Sequence, residues 1–247
     1  MCESLNSPTW TICLYVIILG APTPQLQWKL DYSSPDGYTN DTKSSSQNRA
    51  LLLPGTSIKA TANSTAKTMY FNGTNSGLLI NNITSSCFAN PGTCYSGLAI
   101  SFWIMIVPSG NETNQGLILS SANINIAYKS NGTVFVTLWN GTREWGVMYN
   151  RNTSKGAWQC FTVTWNTTML SFYIDGALKV RNGNVSSNMS QYTLAGRAVG
   201  KRVVFGNTAR ETADLKAIKM YLDELKIWND TLRDFDGVCL TGRNFLS

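Results

Sequence analysis

The chain has 247 residues, 43% of them hydrophobic and only 14% charged, with a formal net charge of +6. That balance excludes a disordered chain and supplies enough apolar side chains for one large sandwich core. The chain contains no histidine, which excludes Ser-His-Asp and Cys-His nucleophile systems and any zinc site built on imidazole.

Taken in order, the chain opens on Trp10 to Gly20, WTICLYVIILG, an apolar run too short to cross a bilayer as a helix. Followed by Ala21 and a Pro-rich exit, it reads as a secretory leader over 1–21, with one domain over 22–247. Glu3 and the lack of any lysine or arginine ahead of the run count against that reading, and the rival is a short buried strand. Ser33 to Asn48 is polar and reads as a loop. Thr68 to Gly73 and Gly77 to Ile80 read as a hairpin. Leu98 to Val107, LAISFWIMIV, reads as a strand covered on both faces. Gly116 to Ser121 and Ile124 to Lys129 are two further strands. Thr133 to Trp139 and Glu144 to Tyr149 pair across Asn140-Gly141-Thr142, with Trp139 and Trp145 the tryptophans expected at the surface.

The strongest pattern is AWQCFTVTWNTTMLSFYIDGALKV, Ala157 to Val180. Phe161, Val163 and Trp165 alternate with Thr162 and Thr164, and Leu170, Phe172 and Ile174 resume the alternation after Asn166-Thr167-Thr168. Asp175-Gly176 is a two-residue hairpin turn, since both positions need positive φ. The prediction is a three-stranded antiparallel meander, which sets an all-β, layered, antiparallel class. Val180 to Gln191 reads as a polar loop, and Arg202 to Phe205 and Met220 to Trp228 as the last strands.

The W-x-C-F-T-V-T-W … L-S-F-Y-I-D-G pattern resembles the central strands of laminin-G-like domains and pentraxins, within the concanavalin-A-like jelly rolls. Gln27-Trp28-Lys29-Leu30-Asp31 is similar to the family's opening strand, and Tyr221 to Trp228, YLDELKIW, to its closing signature, in which an Asp-Glu strand precedes a short helical turn at Thr231-Leu232. The resemblance covers about residues 26 to 240. It implies a two-sheet jelly-roll sandwich used for recognition.

Cys2 and Cys13 fall in the leader, leaving Cys87, Cys94, Cys160 and Cys239. Four cysteines allow three pairings. The simplest closes Cys87 on Cys94 around FANPGT and ties Cys160 to Cys239 near the C-terminus. Twelve Asn-x-Ser/Thr sequons fit a secretory route: Asn40, Asn63, Asn72, Asn82, Asn111, Asn131, Asn140, Asn152, Asn166, Asn184, Asn188 and Asn229.

Three chemistries compete. A glycosidase needs two carboxylates facing one cleft; Asp223 and Glu224 are adjacent and expected on opposite faces, and Asp234 and Asp236 fall where the family turns helical, so no catalysis is expected. Calcium is implied by the family, yet Phe205 to Glu211, FGNTARE, carries Arg210 where pentraxins place acid; Glu211 and Asp214 are ligands without a supporting pattern, and Asp175 and Asp223 read as structural. The third is a polyanion. Arg197, Lys201, Arg202, Arg210, Lys216 and Lys219 cluster with only Glu211 and Asp214 as acids, in a stretch free of sequons between Asn188 and Asn229. They form either a solvated surface or a site for a sulfated glycan. The reading is a secreted or cell-surface module for adhesion or ligand binding, with an extracellular glycan or protein as partner, no nucleic acid and no membrane span. The alternatives are a passive, glycan-shielded ectodomain and, less favoured, a glycan-degrading enzyme.

Overall fold

Alternating side chains build two stacked sheets in a computed structural model that describes residues 23–40, 42, 48–60, 67–74, 76–81, 83, 87–108, 115–121, 123–150, 155–183, 202–206, 215–216, 218–232 and 238–239. The expected leader, Asp234 and Asp236, and sequons Asn63, Asn82, Asn111, Asn152, Asn184 and Asn188 lie outside the described residues, while Thr231 and Leu232, expected in a helical turn, are irregular.

The first sheet runs β14 (Ala177–Asn182), β13 (Leu170–Ile174), β12 (Gln159–Trp165), β7 (Leu98–Ile106), β17 (Lys219–Trp228), β5 (Lys67–Asn72), β4 (Thr56–Ala60), with β1 (Leu26–Trp28) also paired to β17. The second runs β11 (Glu144–Tyr149), β10 (Val134–Trp139), β9 (Ile124–Lys129), β8 (Gln115–Ser121), β15 (Arg202–Gly206), β6 (Gly77–Asn81), β3 (Arg49–Leu52), β2 (Tyr38–Asn40). A short β16 (Leu215–Lys216) lies parallel to β8, and the other pairings are antiparallel. This is the jelly-roll sandwich expected from the sequence.

The core between the sheets takes one face of every long strand. Phe161 and Phe172 meet edge to face at 5.2 Å, and Phe102 reaches Phe205 across the sandwich at 5.5 Å. Trp145 of β11 packs on Trp165 of β12 at 5.1 Å and donates Nε1–H to the Thr168 carbonyl at 3.1 Å. Each such ring contributes about 1.5–3 kcal/mol by burial. Trp145, expected near the surface, is therefore a core residue: the β10–β11 hairpin closes the sandwich, and the indole is a strut between sheets.

The meander stands as expected, with Asp175 at φ 53° and Gly176 at φ 76° in the turn; its last strand runs on to Asn182, opposite Leu170, beyond the loop start expected at Val180. Two expectations are corrected. The polar stretch 33–48 contains β2, held by three backbone pairs to β3 that need no apolar side chains. Residues 68–80 are not a hairpin. β5 pairs with β17 and β4 in the first sheet, β6 with β15 and β3 in the second, so Gly73–Ser76 is a corner between layers. Both strands bury an apolar face, and a corner lets each use a different side of one core.

Candidate functional site

Successive strand residues point to opposite faces. Met220 and Leu222 of β17, Met69 and Phe71 of β5, and Ile104 and Ile106 of β7 are all in the core. Tyr221, Tyr70 and Met105 between them therefore face outward. Register sets Tyr221 opposite Tyr70 on one side and Met105 on the other. Ser57 of β4 stands opposite Tyr70, and Trp158, just before β12, brings its ring 6.4 Å from Tyr221. Together they make a transverse row, Ser57, Tyr70, Tyr221, Met105, Trp158, every member half-buried. The two tyrosine rings lie 4.8 Å apart, tilted by 46°.

Two lysines frame this row. Lys59 places its ammonium 4.1 Å from the Tyr70 ring centroid, a cation–π contact. Lys219 lies two residues before Tyr221 on the same outer face and is exposed. Its stem runs over Gly73, where an added Cβ would sit 2.9 Å from the lysine Cγ. Burial, and Tyr70 beside it, raise the Tyr221 hydroxyl above the usual phenol range, so it is neutral at physiological pH. Aromatic faces of this kind accept the C–H face of a sugar ring, because apolar area and a negative quadrupole meet weakly positive hydrogens. The lysines add charge for a carboxylate or sulfate.

The far end of the same face is closed. Ala99, Trp228, Leu232 and Val238 form a separate apolar cluster over it. Cys239 is bonded to Cys160 of β12, with Cα atoms 5.8 Å apart. Cys87 and Cys94 are bonded across the short loop before β7. The longer bridge thus fixes where the cover lies and leaves the aromatic row beside it.

Of the sequence-derived basic cluster, Arg202, Lys216 and Lys219 fall on described strands. Arg202 stands on β15 and Lys216 on β16, both in the second sheet, while Lys219 is on β17 in the first. Arg197, Lys201 and Arg210 lie outside the described residues, as do Glu211 and Asp214. Of the three described members, Lys219 alone is on the first sheet, two residues before Tyr221.

Asp175, Asp223 and Glu224 are tied into the fold. Asp175 Oδ1 accepts the Cys160 N–H at 2.8 Å, and Asp223 Oδ1 that of Glu224 at 2.9 Å. Expected on opposite faces, Asp223 and Glu224 instead sit at a bulge between Asp223 and Lys226, with Glu224 at φ 51°. The bulge breaks the alternation and sets the Glu224 carboxylate 2.8 Å from the Lys226 ammonium. Among the described residues no group of three or more Asp, Glu, Cys or His could hold a metal. Sequons Asn40, Asn131 and Asn166 are exposed, and Asn72, Asn140 and Asn229 are half-buried. The side-chain Oδ1 of Asn140 accepts the N–H groups of Thr142 and Arg143, and that of Asn166 accepts those of Thr168 and Met169.

The signal for Tyr70 and Tyr221 was present in the sequence. Met69-Tyr70-Phe71 and Met220-Tyr221-Leu222 each place an aromatic at a position that alternation sends outward.

The two-sheet sandwich agrees with comparison to known proteins. The Laminin_G_3 family, of the concanavalin A-like lectin/glucanases superfamily, matches residues 72–235. The chain belongs to this family. No match was found among curated protein sequences. As a Laminin_G_3 member the chain is similar in fold to the binding domain of botulinum neurotoxin serotype D/C, at TM-score 0.64 and 18% identity, covering 87% of this chain and 50% of that one. It is also similar to botulinum neurotoxin type C, which depends on two ganglioside molecules to get into cells (TM-score 0.60, 18% identity, 87% and 50% covered). A third is the neurotoxin DC binding domain in complex with rat synaptotagmin II (TM-score 0.59, 18% identity, 87% and 50% covered). The chain spans about half the length of these structures. Among the described residues, no helix is long and apolar enough to cross a membrane.

Proposed function

We propose that this chain is an extracellular recognition module that binds an acidic glycan, carboxylated or sulfated, on the outer face of its first sheet. The observation that carries the reading is the row of Tyr70, Tyr221 and Trp158 framed by Lys59 and Lys219. Half-buried rings on an outward face add little to the core, and they suit a ligand that is partly apolar and partly charged. Two disulfides support an oxidising, extracellular setting. The fold's neighbours include proteins that interact with gangliosides and with synaptotagmin, which is consistent with a glycan or protein ligand. Binding is favoured over catalysis because the described carboxylates at β17 are committed to a backbone N–H and to Lys226.

The test is binding of the purified chain to a panel of neutral, sialylated and sulfated glycans, with calcium and with chelator. Retention on acidic members alone is expected in both conditions. Combining Tyr70→Ala with Tyr221→Ala should weaken that binding by roughly thirtyfold, the scale of a two-residue aromatic hot spot. A passive ectodomain, shielded by glycans at its exposed sequons, predicts retention on no member of the panel.

A further inference from the structure

Beside the last strand of the first sheet the chain forms a groove that the aromatic row does not include. The β1–β2 connection makes one wall with Tyr32 and Ser34; the corner between β3 and β4 makes the floor with Leu53 and Pro54; β4 itself makes the other wall with Ser57 and Ile58. The volume is about 860 Å³. Tyr32 is 65% exposed, a large ring left out of the core although Leu30, two residues earlier, is fully within it.

The wall that carries Tyr32 is braced. Ser34 and Tyr38 exchange backbone and side-chain hydrogen bonds, with the Ser34 N–H on the Tyr38 carbonyl at 2.7 Å and the Tyr38 N–H on Ser34 Oγ at 3.2 Å. Asp36 accepts from Ser34 and from Arg49, the latter at 2.5 Å, and the Arg49 guanidinium lies 4.1 Å over the Tyr38 ring. The Ser34 hydroxyl and Arg49 hold the Asp36 carboxyl below the usual carboxylate range, so it stays ionised, and the paired Arg49 guanidinium offsets its charge. A wall already ordered costs a ligand less to bind.

Ser57 belongs to both features. It is the outward residue of β4 opposite Tyr70, and it lines the groove. A ligand laid across the strands from Trp158 over Tyr221 and Tyr70 therefore reaches Ser57 and continues into the groove towards Tyr32. Neighbouring strands are about 4.8 Å apart, so the four steps from β12 to β4 span roughly 19 Å, and one sugar ring covers about one step. Lys59 and Lys219 lie along that path and call for negative charge on the ligand.

We infer that the Tyr32 groove is a second subsite of the same surface, and that the ligand is a linear acidic polysaccharide gripped along its interior, with Tyr32 stacking on a ring beyond the edge of the sheet. This rests on the acidic-glycan reading above and adds to it a polymer, a direction and a further contact residue. The chemistry fits a chain of linked acidic sugars and not a single terminal sugar, because the two aromatic features are separated by the width of β4.

The test uses size-graded, heparin-derived oligosaccharides, from disaccharide to dodecasaccharide, titrated calorimetrically into the whole chain. Affinity should rise with length up to a hexasaccharide or octasaccharide and then level off. Tyr32→Ala should cost about tenfold on the dodecasaccharide, a moderate hot-spot loss, and leave the tetrasaccharide unchanged. Tyr221→Ala should weaken every length. A Tyr32→Ala chain that binds the dodecasaccharide as tightly as the original, while Tyr221→Ala still fails on all lengths, overturns the groove and leaves the row standing. Binding at no length overturns both. Tyr32→Phe, which keeps the ring, should bind as the original does; a loss with Phe as large as with Ala would also overturn the stacking role.

Discussion

Glu224 shows how one residue can set the chemistry of a whole strand. Its φ of 51° makes the bulge of β17, and the bulge lets its carboxylate meet Lys226 on the outer face. The side chains are only 13% and 8% exposed, respectively, so the pair is largely shielded from water. Lys226→Met should leave that carboxylate buried without its ammonium and cost about 3–5 kcal/mol, the usual range for breaking a buried pair. Adding Glu224→Gln should recover much of the loss. Urea unfolding of the single and double variants checks both statements, and equal stability of Lys226→Met and the original chain would show that the pair is effectively solvated. Gly97, at φ 90°, is constrained from another direction: a Cβ there would lie 2.1 Å from the Trp165 carbonyl, so the segment entering β7 must pass against the end of β12.

At the scale of elements, the C-terminal segment is the piece most dependent on one bond. Its described apolar contacts are few, Trp228, Leu232 and Val238 around Ala99. The bridge from Cys160 to Cys239 closes a separation of 79 residues. Replacing both cysteines with alanine should destabilise the chain by about 2–5 kcal/mol. The Cys87–Cys94 pair spans only 7 residues, and its loss should cost less, because a short loop has less freedom to lose in the unfolded chain. Thermal unfolding of the two double variants ranks them.

The same scale explains what could be read in advance. The β12–β13–β14 meander was legible because local alternation and an Asp-Gly turn carry all its information. The β5–β6 corner was not: two alternating runs joined by Gly73 look like a hairpin until the partners β17 and β15, far along the chain, are known. The row was half legible for the same reason. Its outward tyrosines follow from alternation, but that Tyr70, Tyr221 and Trp158 share one line depends on register between strands distant in sequence. Nearness in sequence likewise does not fix a surface: Arg202 and Lys219 stand on strands of different sheets.

For the whole molecule, charge and the aromatic row should act on different parts of the binding reaction. The chain carries a net +6 with only 14% charged residues, so its positive field is little interrupted by local pairs and acts on an approaching polyanion from a distance. The rings act only on contact. The Debye length is about 10 Å near 0.1 M salt and about 3 Å at 1 M, so added salt removes the long-range part first. Raising salt from about 0.05 to about 0.5 M should therefore slow association with an acidic polysaccharide by at least about tenfold, with a smaller change in dissociation. Tyr70→Ala with Tyr221→Ala should do the reverse, speeding dissociation at every salt concentration and leaving association nearly as it was, because these residues carry no charge. Lys59→Gln with Lys219→Gln should change both, since these lysines lie on the path of the ligand and also belong to the field. Surface plasmon resonance on immobilised polysaccharide separates the two rates. If the tyrosine variant slowed association and kept the original dissociation rate, the rings would be shaping the field or the fold and would not be the contact.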